Sequence, residues 1–324
     1  MFHDRLGVHD WEDSIVRDFG TTFSTCDHSL HTHELFSTDS IIQLLDTLPR
    51  EFLQCYTMVA DADRKDSVKA VNPDNSSGAE LYEAANRGMF WFNLKRLEEF
   101  DYVYQQMVNQ MYDMLIQRCP DQLVGLHEYS VDMLITSAGA HTHYHIDRGP
   151  SSLWHIAGTK HVWVYPEMDF NFISQTDMEA VFTGQMLEYI PYNKDFDGNS
   201  EYCELKPGQA VWWPNSAPHR VENNDLCISL NFSHKTRSSV KRFNIQRANH
   251  YLMRPLGVKN PCVFESGMAA ELKELSYRAI NKIRKFESKV NYRADHATNL
   301  FIDPSMPDAL GKTDKRVMPA FLSA

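Results

Sequence analysis

The sequence has no CxxC pair; its six cysteines, Cys26, Cys55, Cys119, Cys203, Cys227 and Cys262, stand far apart. That argues against a disulfide framework and a cysteine-ligated zinc site, and it points to a reducing, cytoplasmic location. No apolar run approaches the roughly 18 residues of a membrane span, so no membrane partner is expected. The opening Met-Phe-His-Asp-Arg-Leu-Gly lacks a basic stretch followed by an apolar one, so no secretory leader is expected. Internal repeats and low-complexity tracts are also missing. Basic residues are in deficit, 32 against 43 acidic ones for a net charge of −11. As a whole the chain is therefore a poor candidate for sequence-independent nucleic-acid binding. Locally the deficit reverses. Leu226 to Phe264 contains no carboxylate, whereas Lys235, Arg237, Lys241, Arg242, Arg247, Arg254 and Lys259 all fall there. The plain reading is a solvated connector; the sharper one is a docking face for an acidic substrate or partner.

What remains is ordinary globular composition: 324 residues, 43% hydrophobic and 23% charged. That is enough chain for one large or two modest domains with a core of their own. Periodicity divides it into three regions. Residues 1–125 read as mixed α/β with two helices. One follows the capping oxygens of Ser37-Thr38-Asp39 and presents Ile41, Ile42, Leu44, Leu45 and Leu48 before Pro49. The other runs from about Leu94 to Gln117, with apolar residues at steps of three and four. Between them, 72–78 is turn chemistry and a candidate substrate lid. Residues 126–232 lose helical spacing. Short β-rich runs at His127–Thr136, Ser152–Ile156, His161–Tyr165, Ala210–Trp213 and Cys227–Phe232 imply a sandwich or barrel. Residues 233–324 return to helix. Met268, Leu272, Leu275, Ala279, Ile283, Phe286 and Val290 form one stripe, which packs on the β region or pairs with a second copy. The last thirty residues read as an irregular tail.

The chemistry concentrates at Gly139-Ala-His-Thr-His-Tyr-His-Ile-Asp147. On a regular strand, His141, His143, His145 and Asp147 project to one side. Such a run is costly on an apolar face unless something binds it. A separate His31-Thr-His33 precedes a helix cap and reads as bland. Downstream, Gly208-Gln-Ala-Val-Trp-Trp-Pro214-Asn-Ser-Ala-Pro-His219-Arg-Val-Glu-Asn223 presents a histidine after a tight turn. This segment resembles the second cupin motif, with Ser216 in place of its inner glycine. Gly139 followed by His145-x-Asp147 fits the first, about seventy residues upstream. His145, Asp147 and His219 then make a 2-His-1-carboxylate set, which suits Fe(II) with positions left open for cosubstrate and dioxygen. Zinc more often takes three histidines or cysteine. A competing frame uses His143, His145 and His219. The glutamate that ordinary cupins carry soon after the pair is missing here.

Segment 139–232 is similar to the JmjC-type 2-oxoglutarate-dependent oxygenases, especially the smaller protein hydroxylases such as the hypoxia-inducible-factor asparaginyl hydroxylase group. The resemblance covers about a third of the chain. It implies a double-stranded β-helix (jelly-roll, cupin) core with helical additions. It assigns 2-oxoglutarate binding to Thr142, pairing with the distal carboxylate to Lys160, and a cosubstrate border to Ser151, where the family has asparagine. The family's closing Asn-Phe reappears as Asn231-Phe232, which makes Asn231 a further cosubstrate-site candidate. Lys160 also fits the physics directly, since a dicarboxylate in a barrel needs a buried cation at its far end. Trp154, Trp163, Trp212 and Trp213 line the pocket or fill the core. The implied activity is oxidation of a substrate C–H bond coupled to decarboxylation of 2-oxoglutarate. Hydroxylation is expected over demethylation, because nothing resembles a chromatin-reading module. The rivals are a cosubstrate-free cupin enzyme, which would not need Lys160, and a non-catalytic cupin-like binding protein. The substrate class, whether protein, peptide or small molecule, is not legible.

Overall fold

A computed structural model describes residues 2–7, 11–58, 68–186, 190–284 and 297–323. Its strands are β1 (Ser24–Asp27), β2 (Leu53–Thr57), β3 (Phe90–Leu94), β4 (Glu128–Thr136), β5 (His141–His145), β6 (Ser151–Ala157), β7 (Lys160–Val164), β8 (Glu201–Leu205), β9 (Gln209–Trp212), β10 (His219–Asn223), β11 (Cys227–Lys235), β12 (Thr298–Ile302) and β13 (Leu310–Val317). They form a seven-stranded sheet, β1-β9-β6-β11-β4-β3-β2, a four-stranded sheet, β5-β10-β7-β8, and the two-stranded β12-β13. Every pairing is antiparallel. Three strands of the large sheet come from before residue 126.

Alternation along β11 explains how the large sheet serves two cores. Ile228, Leu230 and Phe232 point outward and pack with Trp154, Met133 and Ile135 against Met107, Met111 and Leu115. The last three belong to the helix Tyr102–Arg118. The intervening Ser229, Asn231 and Ser233 therefore face inward. Between the two sheets lies a smaller apolar cluster of Leu153, Val162, Val164, Leu205, Val211, Trp213, Ala217 and Val221. Thus one face of the large sheet is oily, and the other mixes Leu153 and Val211 with hydroxyls, an amide and a histidine. Burying so many polar groups is costly unless they have work to do.

Several expectations from the sequence need correction. The helix expected from Leu94 begins only at Tyr102, because Asp101 accepts from the backbone N–H groups of Val103 and Tyr104 and caps it there. The segment from Phe90 to Leu94 is strand β3 instead. The tail is not irregular: Pro304 and Pro307 sit in the loop of the β12-β13 hairpin. The 72–78 loop is no lid, since that hairpin and the residues after it pin it down. Asn72 donates its N–H to the Leu300 carbonyl at 2.9 Å, and Asp74 accepts from the Ala320 N–H at 3.2 Å. Arg50 holds the Ser76 carbonyl at 2.7 Å. Nor is the basic segment a free docking face. Lys235 pairs with Glu128 at 2.7 Å, Arg242 with Glu167 at 2.8 Å and also Glu265, Lys241 with Glu271, and Arg254 with the buried Glu179 at 2.9 Å. Most of the missing carboxylates arrive from elsewhere in the chain.

Buried histidines make the fold acid-sensitive. Burial holds His28 down at about 4, His155 at about 3 and His234 at about 4. Each ring stays neutral in the fold and titrates near 6.5 once unfolded. Their contribution is therefore whole above about pH 6.5 and is lost as pH falls towards the folded values. Three extra protons taken up on unfolding give a slope of about 4 kcal/mol per pH unit near pH 5. Urea unfolding across pH 7 to 4.5 should show that fall; a flat profile would mean that the rings titrate normally.

Candidate metal centre

His145 ends β5 and His219 begins β10, and the two are paired directly across the small sheet. Cross-strand partners share a face, so their rings meet, with centroids 4.0 Å apart. Asp147 follows two residues beyond His145. Its Oδ1 is 3.8 Å from His145 Nε2 and its Oδ2 is 3.7 Å from His219 Nε2. Ligand atoms of these three side chains all lie within 4.8 Å of one another. Bonds of roughly 2.1 Å to one ion require ligand atoms no more than about 4.2 Å apart, so the two histidine–aspartate pairs already suit a single ion.

The hydrogen bonds set both histidines for this task. His145 Nδ1 donates to the His143 carbonyl at 2.7 Å, and His219 Nδ1 donates to the Ala217 carbonyl at 3.0 Å. A carbonyl can only accept, so each ring carries its proton on Nδ1 and turns the Nε2 lone pair towards Asp147. Burial, with His145 alongside, lowers His219 to about 4, which keeps its ring neutral near pH 7. Trp213 backs the same ring, with centroids 4.3 Å apart. Ser151 Oγ donates to Asp147 Oδ2 at 2.5 Å. Ser151 thus orients the carboxylate, a role the sequence did not suggest for it. Ser151→Ala should weaken affinity for a divalent ion by about 10- to 100-fold while leaving the fold intact. Competition against a chromophoric chelator measures this, and unchanged affinity would remove Ser151 from the site.

The expectation that His141, His143 and His145 share one face does not hold. His145 opposes His219, but Thr142 opposes Val221, so three steps on β5 match two on β10. This bulge turns Thr142 inward with His145. His141 opposes Glu222 and lies 3.8 Å from its carboxylate. His143 is buried and offers its carbonyl, not its ring, to His145. Neither residue belongs to the ligand group found among the described residues. The serine in the cupin-like turn has a backbone reason to be glycine: Ser216 adopts φ 67°.

Lys160 opens β7 and shares the inward face with Val162 and Val164. Its side chain is 3% exposed, and burial lowers its pKa. No carboxylate or hydrogen-bond acceptor for it is found among the described residues. A buried ammonium without a counter-ion is unfavourable, so the position fits an incoming anion. The chain turns sharply into it at Gly158, where φ is 84° and an added Cβ would come 2.4 Å from the Leu226 carbonyl oxygen. His155 and Ser229 support this end of the site and were missed in the sequence. His155 Nε2 donates to the Gly158 carbonyl at 3.0 Å and Nδ1 accepts from Ser229 Oγ at 2.9 Å. The only signal was a histidine inside the apolar run Leu153-Trp-His-Ile156. Asn231, on the inward face of β11, opposes Leu153 and Asp132. Of the four tryptophans weighed as lining, only Trp213 reaches the interior cluster. Trp154 and Trp212 fill the outer core, and Trp163 lies beneath Arg220, 3.7 Å away.

Arg220 fixes the far side of the small sheet. Next to inward His219 it points outward, donating to Tyr165 at 3.0 Å, Asp197 at 2.9 Å and Glu222. Tyr165 and Tyr192 also donate to Asp197, at 2.5 and 2.8 Å. This clamp holds the 194–199 turn against the strand that carries His219.

No protein-family model matches the chain, and no curated protein does either. Among solved structures it is similar to YcfD, a ribosomal oxygenase from Escherichia coli, in complex with cobalt and 2-oxoglutarate. The identity is 13%, over 85% of this chain and 67% of that one, at a TM-score of 0.47. A second crystal structure of the same ribosomal oxygenase matches at 12% identity over 90% of this chain and 73% of that one, TM-score 0.47. The complex with cobalt and succinic acid matches at 11% identity over 82% and 64%, TM-score 0.43.

Proposed function

We propose that the protein is a non-haem Fe(II), 2-oxoglutarate-dependent oxygenase on a double-stranded β-helix core. On this reading it hydroxylates a C–H bond of a protein, peptide or amino-acid-like substrate. The observation that carries this reading is the ligand set itself. Two histidines, each tied through Nδ1 to a backbone carbonyl, aim Nε2 at one carboxylate, beside a polar interior that also holds Lys160. Fe(II) and 2-oxoglutarate, when bound, supply the oxidation: dioxygen and the substrate C–H bond give alcohol, succinate and carbon dioxide.

The protein's part is placement. His145, Asp147 and His219 would hold the ion, a donor set that suits Fe(II). Ser151 keeps Asp147 oriented. Lys160 would neutralise the distal carboxylate of the cosubstrate, with Thr142 on the same inward face. Leu153, Val162, Val164, Val221 and Trp213 keep water from the remaining surface, which strengthens each charge interaction inside. Segment 126–232 carries this chemistry, and regions 1–125 and 233–324 set substrate choice. All six cysteines are unpaired, which suits a reducing, cytoplasmic setting. No helix among the described residues is long and apolar enough to cross a membrane.

The test is consumption of 2-oxoglutarate and formation of succinate, followed by NMR with and without Fe(II). Slow Fe(II)-dependent succinate formation without substrate is expected. Tight metal binding with no 2-oxoglutarate consumption would favour the cosubstrate-free cupin reading.

A further inference from the structure

His219 is delivered by the turn Pro214-Asn-Ser-Ala217. Ala217 donates its N–H to the Pro214 carbonyl at 3.0 Å, which closes a four-residue β-turn. Ser216 stands third in it at φ 67°, and Asn215 before it is not among the positive-φ residues. That combination is a type II turn, whose third position favours glycine. For a pair such as Asn-Ser the type I turn is the ordinary choice. The two forms differ by a flip of the one peptide between those residues. Ser216 is therefore held in the less comfortable of two available states, and its surroundings must keep it there. Its own side chain does little, with Oγ 3.3 Å from Asn215 Oδ1.

Arg242 supplies the hold. It sits in the helix Arg237–Ala248 and donates Nη1 to the Asn215 carbonyl, the carbonyl of the peptide that would flip. The guanidinium is itself fixed. Nη1 also donates to Glu167 at 2.8 Å, and Nε donates to Glu265. The side chain is only 14% exposed, so these charge-assisted bonds form largely out of water. Glu167 lies just beyond β7, whose last residue, Val164, is paired with His219. Glu265 lies just before the helix Met268–Arg284. One arginine thus joins the C-terminal region to both strands beside the metal centre.

We propose that Arg242 is a positioning residue for the metal centre. By holding the Asn215 carbonyl it keeps the turn in its type II form, and so sets the Ala217 carbonyl that orients His219. The inference rests on reading His145, Asp147 and His219 as metal ligands. Without the arginine the peptide relaxes to type I, and φ of Ser216 changes by about 150°. Ala217 is the next residue, and its carbonyl is the one that accepts from His219 Nδ1 at 3.0 Å. Nε2 then loses its fixed aim at Asp147. The same bond explains how the cupin-like turn does without its inner glycine: a hydrogen bond from Arg242 holds the conformation that glycine would adopt freely.

Calorimetric titration of the full chain with Mn(II) under argon reads the effect. Arg242→Gln should weaken Mn(II) affinity by about 10- to 100-fold. Arg242→Lys keeps a charge between Glu167 and Glu265, which secures the fold, but lacks the planar fork that serves three acceptors at once. It should show most of the same loss. Rescue separates positioning from stability alone. Ser216→Gly makes the type II turn comfortable without help, so Arg242→Gln with Ser216→Gly should bind Mn(II) within about threefold of Ser216→Gly alone. Arg254→Gln is the control. It breaks another ion pair of the C-terminal region, with the buried Glu179 at 2.9 Å, and should lower the melting temperature while leaving Mn(II) affinity unchanged. Wild-type affinity in both Arg242 variants, or a loss that Ser216→Gly leaves untouched, would overturn the proposal. A wild-type protein that binds no Mn(II) would overturn the ligand assignment, and the proposal with it.

Discussion

His219→Ala, Asp147→Ala and His145→Ala should each lower divalent-metal affinity and 2-oxoglutarate turnover by about 1,000-fold or more. Donor count sets the size of the effect. Three protein ligands are the minimum that holds an ion while leaving positions open, so losing one leaves a two-ligand site that a chelator or buffer outcompetes. Asp147 carries the one negative charge of the set, and its loss also leaves the ion's charge uncompensated in a poorly solvated place. His219→Ala tests the site most strictly, because the ring is 3% exposed and nothing else among the described residues replaces its Nε2. Circular dichroism and the melting temperature separate loss of metal from loss of fold. Calorimetric titration with Mn(II) under argon reads the affinity, and succinate formation reads turnover. Turnover retained in all three variants would remove these residues from the centre.

Lys160→Met should separate function from stability. Removing one partner of a buried, hydrogen-bonded ion pair costs roughly 2–5 kcal/mol, so the dissociation constant for 2-oxoglutarate should rise by about 30-fold or more. Metal affinity without the cosubstrate should be unchanged. The variant should also melt higher than wild type when neither ligand is present. The wild-type ammonium is buried near the Cys227 thiol and the His155 ring with no carboxylate beside it among the described residues, and a thioether of similar length removes that penalty. A stabilised protein with weakened cosubstrate binding is the signature of a side chain kept for its ligand. If Lys160→Met bound 2-oxoglutarate as tightly as wild type, the buried lysine would have some other partner, and the cosubstrate-free reading would gain.

The parts of this site that the sequence disclosed are those governed by local spacing. His145-x-Asp147 and the turn leading to His219 stand out because one short β segment and one tight turn place each donor. Lys160 could be read because it begins a strand in fixed register behind them. The run Cys227–Phe232 showed as β-rich and lies in strand β11. What was not legible depends on partners distant in the chain. The bulge that turns Thr142 inward exists only because β5 pairs with β10. The same long-range pairing sends His141 to Glu222 and leaves the His143 ring out of the ligand group. The basic segment looked unpaired because the carboxylates Glu128, Glu167 and Glu179 lie about fifty or more residues away. The 72–78 loop looked like a lid because it is polar and lacks periodicity, and the C-terminal hairpin that pins it down is more than two hundred residues away. The helix 268–284 showed its stripe plainly, but periodicity cannot say which way a stripe faces, and here it faces out.

The most direct test is an anaerobic titration of the Fe(II)-loaded protein with 2-oxoglutarate, followed in the visible region, with Lys160→Met alongside. A charge-transfer band should saturate in wild type and need at least about 30-fold more 2-oxoglutarate in the variant. A wild-type protein that binds Fe(II) yet develops no band at saturating 2-oxoglutarate would contradict the cosubstrate assignment.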